Sequence, residues 1–191
     1  MQQIEPMRIS EDEYLALERR SETKHELVNG VPVAMAGGSF QHNSIAANVL
    51  GALRVLLRGK SCRAVGSDQR VHVPATGLYT YPDVTVVCGK PEFHPKEPDT
   101  LTNPRVLIEV LSDSTEAFDR GAKFAHYRSI PSFVEYVLVA QNEPRVEHFR
   151  RLETGQWILT VYRGESARVE LPALGCELPV GELYEGLEVG D

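Results

Sequence analysis

Long hydrophobic runs are missing from this sequence. No stretch approaches the roughly 18 uninterrupted apolar residues of a membrane-spanning helix, and the polar N-terminal segment MQQIEPMRISEDEYL has no apolar signal-peptide core. We therefore expect a cytoplasmic protein that does not enter a membrane. The chain has 191 residues, of which 42% are hydrophobic and 25% charged, as in one globular domain with a sizeable core. We assign residues 1–191 to this single domain.

Cysteine is scarce as well. The sequence has three, Cys62, Cys88 and Cys176, and no CxxC spacing. An odd number of cysteines cannot pair completely within one chain, and residues so far apart do not match the ligand spacing of a zinc site. We therefore expect neither a disulfide scaffold nor a zinc site.

Two further absences narrow the function. The sequence has no G-x-S-x-G, no phosphate-binding loop and no dinucleotide fingerprint, so the hydrolase-triad and nucleotide-cofactor classes lack support. The sequence has 20 Lys and Arg residues and 27 Asp and Glu residues, which gives a net charge of −7. This is the wrong sign for a protein that coats nucleic acid. A local basic face can still exist, and the alternative is scattered solvated charges. The candidate residues of such a basic face are Lys60, Arg63, Arg70, His72, Lys123 and Arg128.

The first third of the chain predicts two helices and a hairpin. Ser10 and Glu13 fit a capping box at the start of a helix over residues 10–21. Asn29-Gly30 interrupts the alternating segment HELVNGVPVAM and favours a two-residue β-hairpin turn. Apolar residues at helical spacing then predict a second helix over residues 42–58.

The remaining chain is rich in predicted strands. CRAVG and QRVHVPA are two of them, and the strongest signals are DVTVVC and RVLIEVL, which we expect at the centre of a sheet, separated by a polar loop. A helix should begin at Ser114 or Thr115 and end near Ser129, because Pro131 follows. FVEYVLVA, VEHFRRL and WILTVYR are further strands, and LPVGELYEGL a last helical turn. This order predicts an α/β fold with a mixed central β-sheet flanked by helices.

Two acids in these central strands suggest chemistry. Glu109 lies within the apolar strand RVLIEVL, where an unpaired ionised carboxylate costs several kcal/mol unless a cation or hydrogen bonds offset it. Asp83 opens its strand directly after Pro82, and the two carboxylates converge if the strands are neighbours. Two carboxylates with waters and a phosphate oxygen are a common Mg²⁺ site. The spacing leaves a second interpretation open, in which Glu109 pairs with an Arg or Lys and Asp83 caps a turn.

The residues around these acids form a recognisable series. It includes EDEYLALE, HELVNGVPV, GSFQHNSIAANVLGAL, Pro82-Asp83, IEVLS, Asp119, Lys123, Tyr127 and VEYVLV, and it covers most of the chain. In order and spacing the series resembles the Uma-two-type family of candidate restriction endonucleases, a domain of unknown biological role in cyanobacteria and other bacteria. The resemblance implies a restriction-endonuclease-like core with a PD-(D/E)XK site. In that site Asp83 is the first acid, Glu109 the second and Glu26 an additional one.

One position departs from the general nuclease pattern. That pattern has a lysine two residues beyond the second acid, on the same strand face, where this sequence has Leu111. The resemblance implies that Lys123, from the following helix, replaces this lysine and positions the attacking water or stabilises the phosphate. The alternative is an ordinary surface ion pair between Asp119 and Lys123, which are four residues apart.

The resemblance implies an endonuclease that uses Mg²⁺ or Mn²⁺, held by Asp83 and Glu109, to hydrolyse DNA phosphodiester bonds. It also implies a homodimer, since such nucleases commonly pair their sites to cut both strands. The negative charge and Leu111 favour an alternative, a catalytically silent nuclease-fold module for binding or assembly. His42 has two interpretations, as a contact to substrate or as a helix cap. Glu26 has a simpler alternative as an exposed acid at a strand end.

Overall fold

The computed structural model describes residues 7–190. The helices are α1 (Glu11–Glu18), α2 (Phe40–Leu56), α3 (Glu116–Phe118), α4 (Phe124–Tyr127) and α5 (Val180–Leu183), with a π-helical turn (Asp119–Lys123) joining α3 to α4. The strands are β1 (His25–Val28), β2 (Val31–Ala34), β3 (Cys62–Gly66), β4 (Arg70–Val73), β5 (Leu78–Thr80), β6 (Val84–Cys88), β7 (Phe93–His94), β8 (Glu97–Leu101), β9 (Val106–Val110), β10 (Glu135–Val139), β11 (Arg145–Arg151), β12 (Trp157–Arg163), β13 (Arg168–Leu171) and β14 (Cys176–Pro179). None of the helices within residues 7–190 has the length and apolar character needed to cross a membrane.

Local sequence signals explain the first elements. The capping box forms as predicted, because the Ser10 side chain accepts from the Glu13 amide while the Glu13 carboxylate accepts from the Ser10 amide. Helix α1 is nevertheless shorter than the predicted span. The hairpin between β1 and β2 turns at Asn29 and Gly30, whose φ angles of 52° and 81° are those of a two-residue turn. Helix α2 begins two residues earlier than predicted, with Ser39 as its N-cap.

The fold has two six-stranded sheets. The one called the second sheet below carries the two strands predicted to be central. Its order is β12-β11-β10-β9-β6-β3, so β9 and β6 are inner neighbours and run antiparallel. Strand β10 is parallel to β9, which makes the sheet mixed, as predicted. Both faces of β9 are covered, since all five of its residues are buried.

The single predicted sheet is in fact two six-stranded sheets and a two-stranded one. The other large sheet has the order β2-β1-β5-β4-β8-β7, and β13 pairs only with β14. Strands β7 and β8 lie in the segment predicted as a polar loop. The sequence EPDTL has little intrinsic strand preference. It forms a strand because it pairs in parallel with β4.

The predicted helix after β9 is present but not regular. It begins at Glu116, and the preceding Thr115 makes no capping hydrogen bond through its side chain, contrary to the prediction. The helix ends at Tyr127, two residues before the predicted boundary. Between these ends the backbone widens into the π-helical turn, which no feature of the pattern predicted.

The expectation of no disulfide is wrong for one pair of cysteines. Cys62 and Cys88 face each other across the antiparallel strands β3 and β6 and form a disulfide. They are 26 positions apart along the chain, so spacing alone does not reveal that they are neighbours. Cys176 remains a free thiol.

The second sheet separates two hydrophobic cores. On one face, Val106, Ile108 and Val137 pack with the buried side of α2 and with the β13–β14 hairpin. On the other face, Leu107 and Tyr136 pack with the helical segment 116–127 and with apolar residues of β4 and β5. Glu109 is two residues from Leu107 and shares this second face. The acid therefore points to the place where the sheet, the other sheet and the helical segment meet.

Candidate active site

The site forms where the chain crosses from one large sheet to the other. Strand β5 ends at Thr80 and β6 begins at Val84, so Asp83 lies at the crossing. The β6–β9 register pairs Val84 with Ile108 and places Asp83 opposite Glu109. Each acid also accepts from the backbone beside the other. The Asp83 amide donates to Glu109 Oε2 at 3.3 Å and the Val110 amide to Asp83 Oδ2 at 2.8 Å. The backbone thus fixes both carboxylates side by side.

The helical segment supplies a cation to this pair. Lys123 Nζ is 2.9 Å from Glu109 Oε1, and the Tyr127 hydroxyl donates to the same oxygen at 2.9 Å. Lys123 lies in the π-helical turn and Tyr127 at the end of α4, one turn further along. Both side chains therefore project from one stripe of the helix onto the end of β9.

Two more carboxylates surround the same ammonium. Lys123 Nζ is 3.4 Å from Glu26 Oε1 and 3.3 Å from Asp119 Oδ1. Glu26 comes from β1, in the other sheet, and accepts a hydrogen bond from the Thr80 hydroxyl. Each of these groups is at least nine-tenths buried. One cation thus stands among three acids in a region that water barely reaches.

This imbalance sets the protonation of the site. Burial and the neighbouring charges of Asp119 and Asp83 together raise the pKa of Glu109 to about 8, against the opposing effect of Lys123. Burial alone would lower the pKa of Lys123, but the attraction of Glu109, Glu26 and Asp119 raises it well above its ordinary value. Lys123 therefore keeps its proton. The three carboxylates around it outnumber this single positive charge.

His42 completes the surroundings of Asp83. Its Nε2 is 3.3 Å from Asp83 Oδ2, and the hydrogen bond with Asp83 raises the pKa of the imidazole against the effect of burial. The side chain sits in the first turn of α2 beside the glycine-rich loop. A Cβ atom at Gly38 would lie 2.8 Å from His42 Nδ1. Glycine is needed at this position because any side chain would displace the imidazole.

The donor set fits a hard divalent cation. Asp83 and Glu109 present carboxylate oxygens, the ligands that Mg²⁺ and Mn²⁺ prefer, and the excess negative charge calls for a cation. Within residues 7–190, no three Asp, Glu, His or Cys side chains are already grouped to hold a metal ion. Two carboxylates with water as the remaining ligands match this arrangement, since Mg²⁺ rarely takes a cage made wholly of protein groups.

The structure brings all four predicted site residues together. Lys123 contacts Glu26 and Glu109 directly, and Asp83 joins them through the backbone of β9. Two of the simpler interpretations are wrong. The Asp119–Lys123 pair exists but is buried, with exposed fractions of 3% and 6%, and Glu26 is buried as well.

Two candidates for a basic face, Arg70 and Lys60, do not join Lys123 at this site. Arg70 is buried and pairs with Glu97 at 3.1 Å. Lys60 donates to the carbonyl groups of Leu174 and Gly175, in the turn between β13 and β14. These basic residues therefore serve the fold where they lie, and the cation at the site is Lys123.

Two contributors were not predicted from the residues alone. Tyr127 donates to Glu109, and Thr80 donates to Glu26. A signal for Tyr127 was available, because Asp119, Lys123 and Tyr127 recur every four residues and the tyrosine ring marks that stripe as inward-facing. Thr80 has no such signal, since only the pairing of β1 with β5 places it beside Glu26.

The fold defines the class of protein. The structure superposes on the crystal structure described as a "putative nuclease belonging to DUF820" from Anabaena variabilis with a TM-score of 0.75, 19% identity, and coverage of 92% of this chain and 97% of that one. This likeness, with the mixed sheets flanked by helices, makes the fold restriction-endonuclease-like.

Sequence comparison gives the family. Residues 11–181 match the family model Uma2, described as "Putative restriction endonuclease", and the chain belongs to this family. Two relatives come from Synechocystis sp., both described as uncharacterized proteins. One, sll1609, is 36% identical over 83% of this chain and 89% of its own length; the other, slr1290, is 35% identical over 94% and 93%.

Proposed function

We propose that this protein is a Mg²⁺- or Mn²⁺-dependent endonuclease that hydrolyses DNA phosphodiester bonds through a PD-(D/E)XK-type site with a relocated lysine. The observation that carries the proposal is the 2.9 Å contact of Lys123 with Glu109. It brings a lysine from a helix to the second acid of the motif, although the strand position for that lysine holds Leu111. The family and the nuclease-like fold support DNA as the substrate.

Each residue has a role that its surroundings explain. Asp83 and Glu109 would hold the metal ion, which lowers the pKa of a bound water and offsets the charge of the phosphate oxygens. Lys123 stays protonated and stabilises the negative charge that builds on the phosphate. Glu26 and Asp119 keep the ammonium in place through their contacts of 3.4 and 3.3 Å.

Two side chains orient the metal-binding carboxylates. His42 and the Val110 amide both contact Asp83 Oδ2, which leaves the other oxygen of this carboxylate to face a ligand. Tyr127 and Lys123 both contact Glu109 Oε1. Such fixed orientation reduces the rearrangement needed when the substrate binds.

A cleavage assay tests this function. Purified protein is incubated with supercoiled plasmid and with labelled oligonucleotides in Mg²⁺, Mn²⁺ or EDTA, and compared with Asp83→Asn and Glu109→Gln. We expect metal-dependent cleavage that both substitutions reduce at least ~100-fold. Glu135→Gln is the matched control, because Glu135 is also a buried strand glutamate and its bond from the Ala173 amide survives in glutamine. Cleavage that persists in both site variants would exclude the assigned residues.

One observation favours the silent module as a second candidate. Glu109 is only 4% exposed and its oxygens already accept three contacts, from Lys123, Tyr127 and the Asp83 amide. These three contacts are sufficient to stabilise Glu109 in a module that kept its acids for stability and binds no metal ion. Calorimetric titration with Mn²⁺ separates the two functions: an endonuclease shows binding that Asp83→Asn removes, and a silent module shows none.

The proposal includes a homodimer, as expected from the resemblance. Two active sites allow both strands of a duplex to be cut. Because Asp83, Glu109, Lys123 and Glu26 meet within one chain, such a dimer would pair two complete sites.

A further inference from the structure

Strand β12 is the one long, unguarded edge of the two large sheets in the described part of the chain. These six-stranded sheets have four edge strands: β2, β7, β3 and β12. An edge strand exposes unpaired backbone groups, which proteins protect with short length, proline or charge. Strand β7 has two residues, β2 contains Pro32, and β3 carries the exposed Arg63. Strand β12 has seven residues, no proline, and no charge before its last residue.

Strand β12 also exposes large apolar side chains to solvent. Among residues 7–190, eight large apolar side chains are exposed, and three of them lie within four consecutive residues of this strand. Ile158, Leu159 and Val161 have exposed fractions of 44%, 48% and 43%. The other five are spread singly over other parts of the fold. Leu159 and Val161 lie on one face of the sheet and Ile158 on the other, so apolar side chains flank the free backbone edge on both faces. This is the pattern of an edge that another strand covers.

The sequence of β12 complements itself. Antiparallel pairing of two copies centred on Thr160 places Trp157 opposite Arg163, Ile158 opposite Tyr162, and Leu159 opposite Val161. The first pair is a cation–π contact and the others are apolar pairs, all of which stabilise neighbouring strands. No two like charges face each other, and the pairing uses all seven residues. Shifting the centre by one residue in either direction leaves end residues without a partner.

We propose that β12 is a homodimer interface, in which the β12 strands of two copies pair antiparallel about a two-fold axis at Thr160 and join two six-stranded sheets into one of twelve. The proposal names the surface of the homodimer included in the proposed function, but it does not depend on catalysis. Strand β9 is the fourth strand from this edge. The two Glu109 residues would therefore be separated by seven interstrand spacings, roughly 34 Å, so neither site borrows residues from the other copy.

The mass of the protein in solution tests the interface. We expect twice the mass of one chain by light scattering coupled to size exclusion, and the mass of a single chain for the double variant Leu159→Lys and Val161→Lys. Both residues are exposed, so lysine is tolerated in the separate chain, and circular dichroism checks the fold. Val55→Lys is the matched control, because Val55 is 64% exposed on α2 and should remain dimeric as lysine. A monomeric parent protein, or a double variant that stays dimeric, overturns the proposal.

Cysteine crosslinking tests the register. In a Cys176→Ser background, Thr160→Cys should form a disulfide-linked dimer on mild oxidation, because each Thr160 faces its own copy. Ile158→Cys should not, since its partner is Tyr162, but Ile158→Cys mixed with Tyr162→Cys should crosslink. Efficient crosslinking of Ile158→Cys alone would show a different register and overturn the centre at Thr160. Because the sites act separately, the monomeric double variant should retain cleavage per chain, which distinguishes failure of this interface from failure of the nuclease proposal.

Discussion

Two buried ionic groups in this protein have opposite charge balance. Around Lys123, one ammonium meets the carboxylates of Glu26, Glu109 and Asp119. In the other large sheet the situation is reversed. Glu97 alone faces two cations, the buried Arg70 and the largely exposed Arg19, so that the buried charges are balanced. Arg70 also donates to the Thr100 hydroxyl at 2.8 Å. The protein's own cations satisfy the acid in the second group but not the acids in the first.

The difference distinguishes a structural ion pair from a candidate site. A buried charge is tolerated when the surrounding groups neutralise it, and the Arg70–Glu97 pair meets this condition. The cluster at Lys123 meets it only if a carboxyl is protonated or another cation is present, which matches the raised pKa of Glu109. Excess charge in a buried cluster is therefore a better sign of function than burial itself.

The largest effect should come from removing the single cation of the first group. Lys123→Met keeps the length of the side chain but leaves three buried acids without a neighbouring cation. We expect the free energy of unfolding to fall by about 3–5 kcal/mol, measured by urea denaturation at pH 7.5 in EDTA. Mn²⁺ should recover part of this loss, because it replaces the missing charge. A loss below about 1 kcal/mol would show that the acids are already neutralised in another way.

The pH dependence of stability probes Glu109. Its folded pKa is about 8 against an ordinary value of 4.5, so the folded protein holds this proton more tightly than the unfolded chain. The contribution to stability is thus fully present below pH 4.5 and is lost as the pH rises towards 8, by up to about 1.4 kcal/mol per pH unit. Urea denaturation at pH 5.5, 6.5 and 7.5 in EDTA should show this slope in the parent protein.

Glu109→Gln serves as the comparison for that slope. Glutamine cannot titrate, so the difference between parent and variant isolates one proton from all other groups. We expect the variant to gain stability relative to the parent as the pH increases, and Mg²⁺ to reduce this gain at pH 7.5. Parallel pH profiles for the two proteins would contradict a raised pKa at Glu109.

Removing Arg70 from the group around Glu97 should destabilise the protein less than Lys123→Met does and leave cleavage unchanged. Arg70→Met removes one cation, yet Arg19 still contacts Glu97. We expect a loss of about 1.5–3 kcal/mol, as for a hydrogen bond to a charged group, with cleavage per folded molecule unchanged. Urea denaturation and the plasmid assay measure the two quantities on the same sample. A loss of cleavage in folded Arg70→Met would remove the distinction between the groups.

The smallest effect is expected at Asp119. Asp119→Asn removes one of the three acids around Lys123 but keeps the size of the side chain, and the Tyr136 hydroxyl still donates to the carbonyl oxygen of residue 119. Since less negative charge is buried, we expect a change of about 1 kcal/mol or less in the free energy of unfolding. Cleavage should decrease less than in Asp83→Asn. Equal losses in these two variants would give Asp119 a direct role with the metal.

The sequence predicted those parts of the site that lie within single strands. Glu109 stands out because it interrupts an apolar run, and Asp83 because it follows Pro82 at a strand start. Family likeness was needed for Lys123, since its spacing from Asp119 is equally typical of a surface pair. The roles of Thr80 and Glu26 depend on the pairing of distant strands, and no local pattern specifies this pairing.

The same limit explains the errors in the fold. Strand β8 was interpreted as a loop because its residues EPDTL have little strand preference, although pairing with β4 makes them a strand. The Cys62–Cys88 disulfide was missed because its two ends become neighbours only through the register of β3 and β6. The hairpin at Asn29-Gly30 was predicted correctly, since its two turn residues and flanking alternation lie within ten residues.

The π-helical turn has a consequence for how such a site can change. A π turn contains one residue more than the α-helical turn it replaces, and here it carries both Asp119 and Lys123. Deleting one residue, such as the exposed Gly121, would remove this extra residue and bring Asp119 and Lys123 from four positions apart to three. Single insertions and deletions, and not only substitutions, can therefore change how Asp119 is placed against the lysine. Chain length within this segment is a variable on which selection can act.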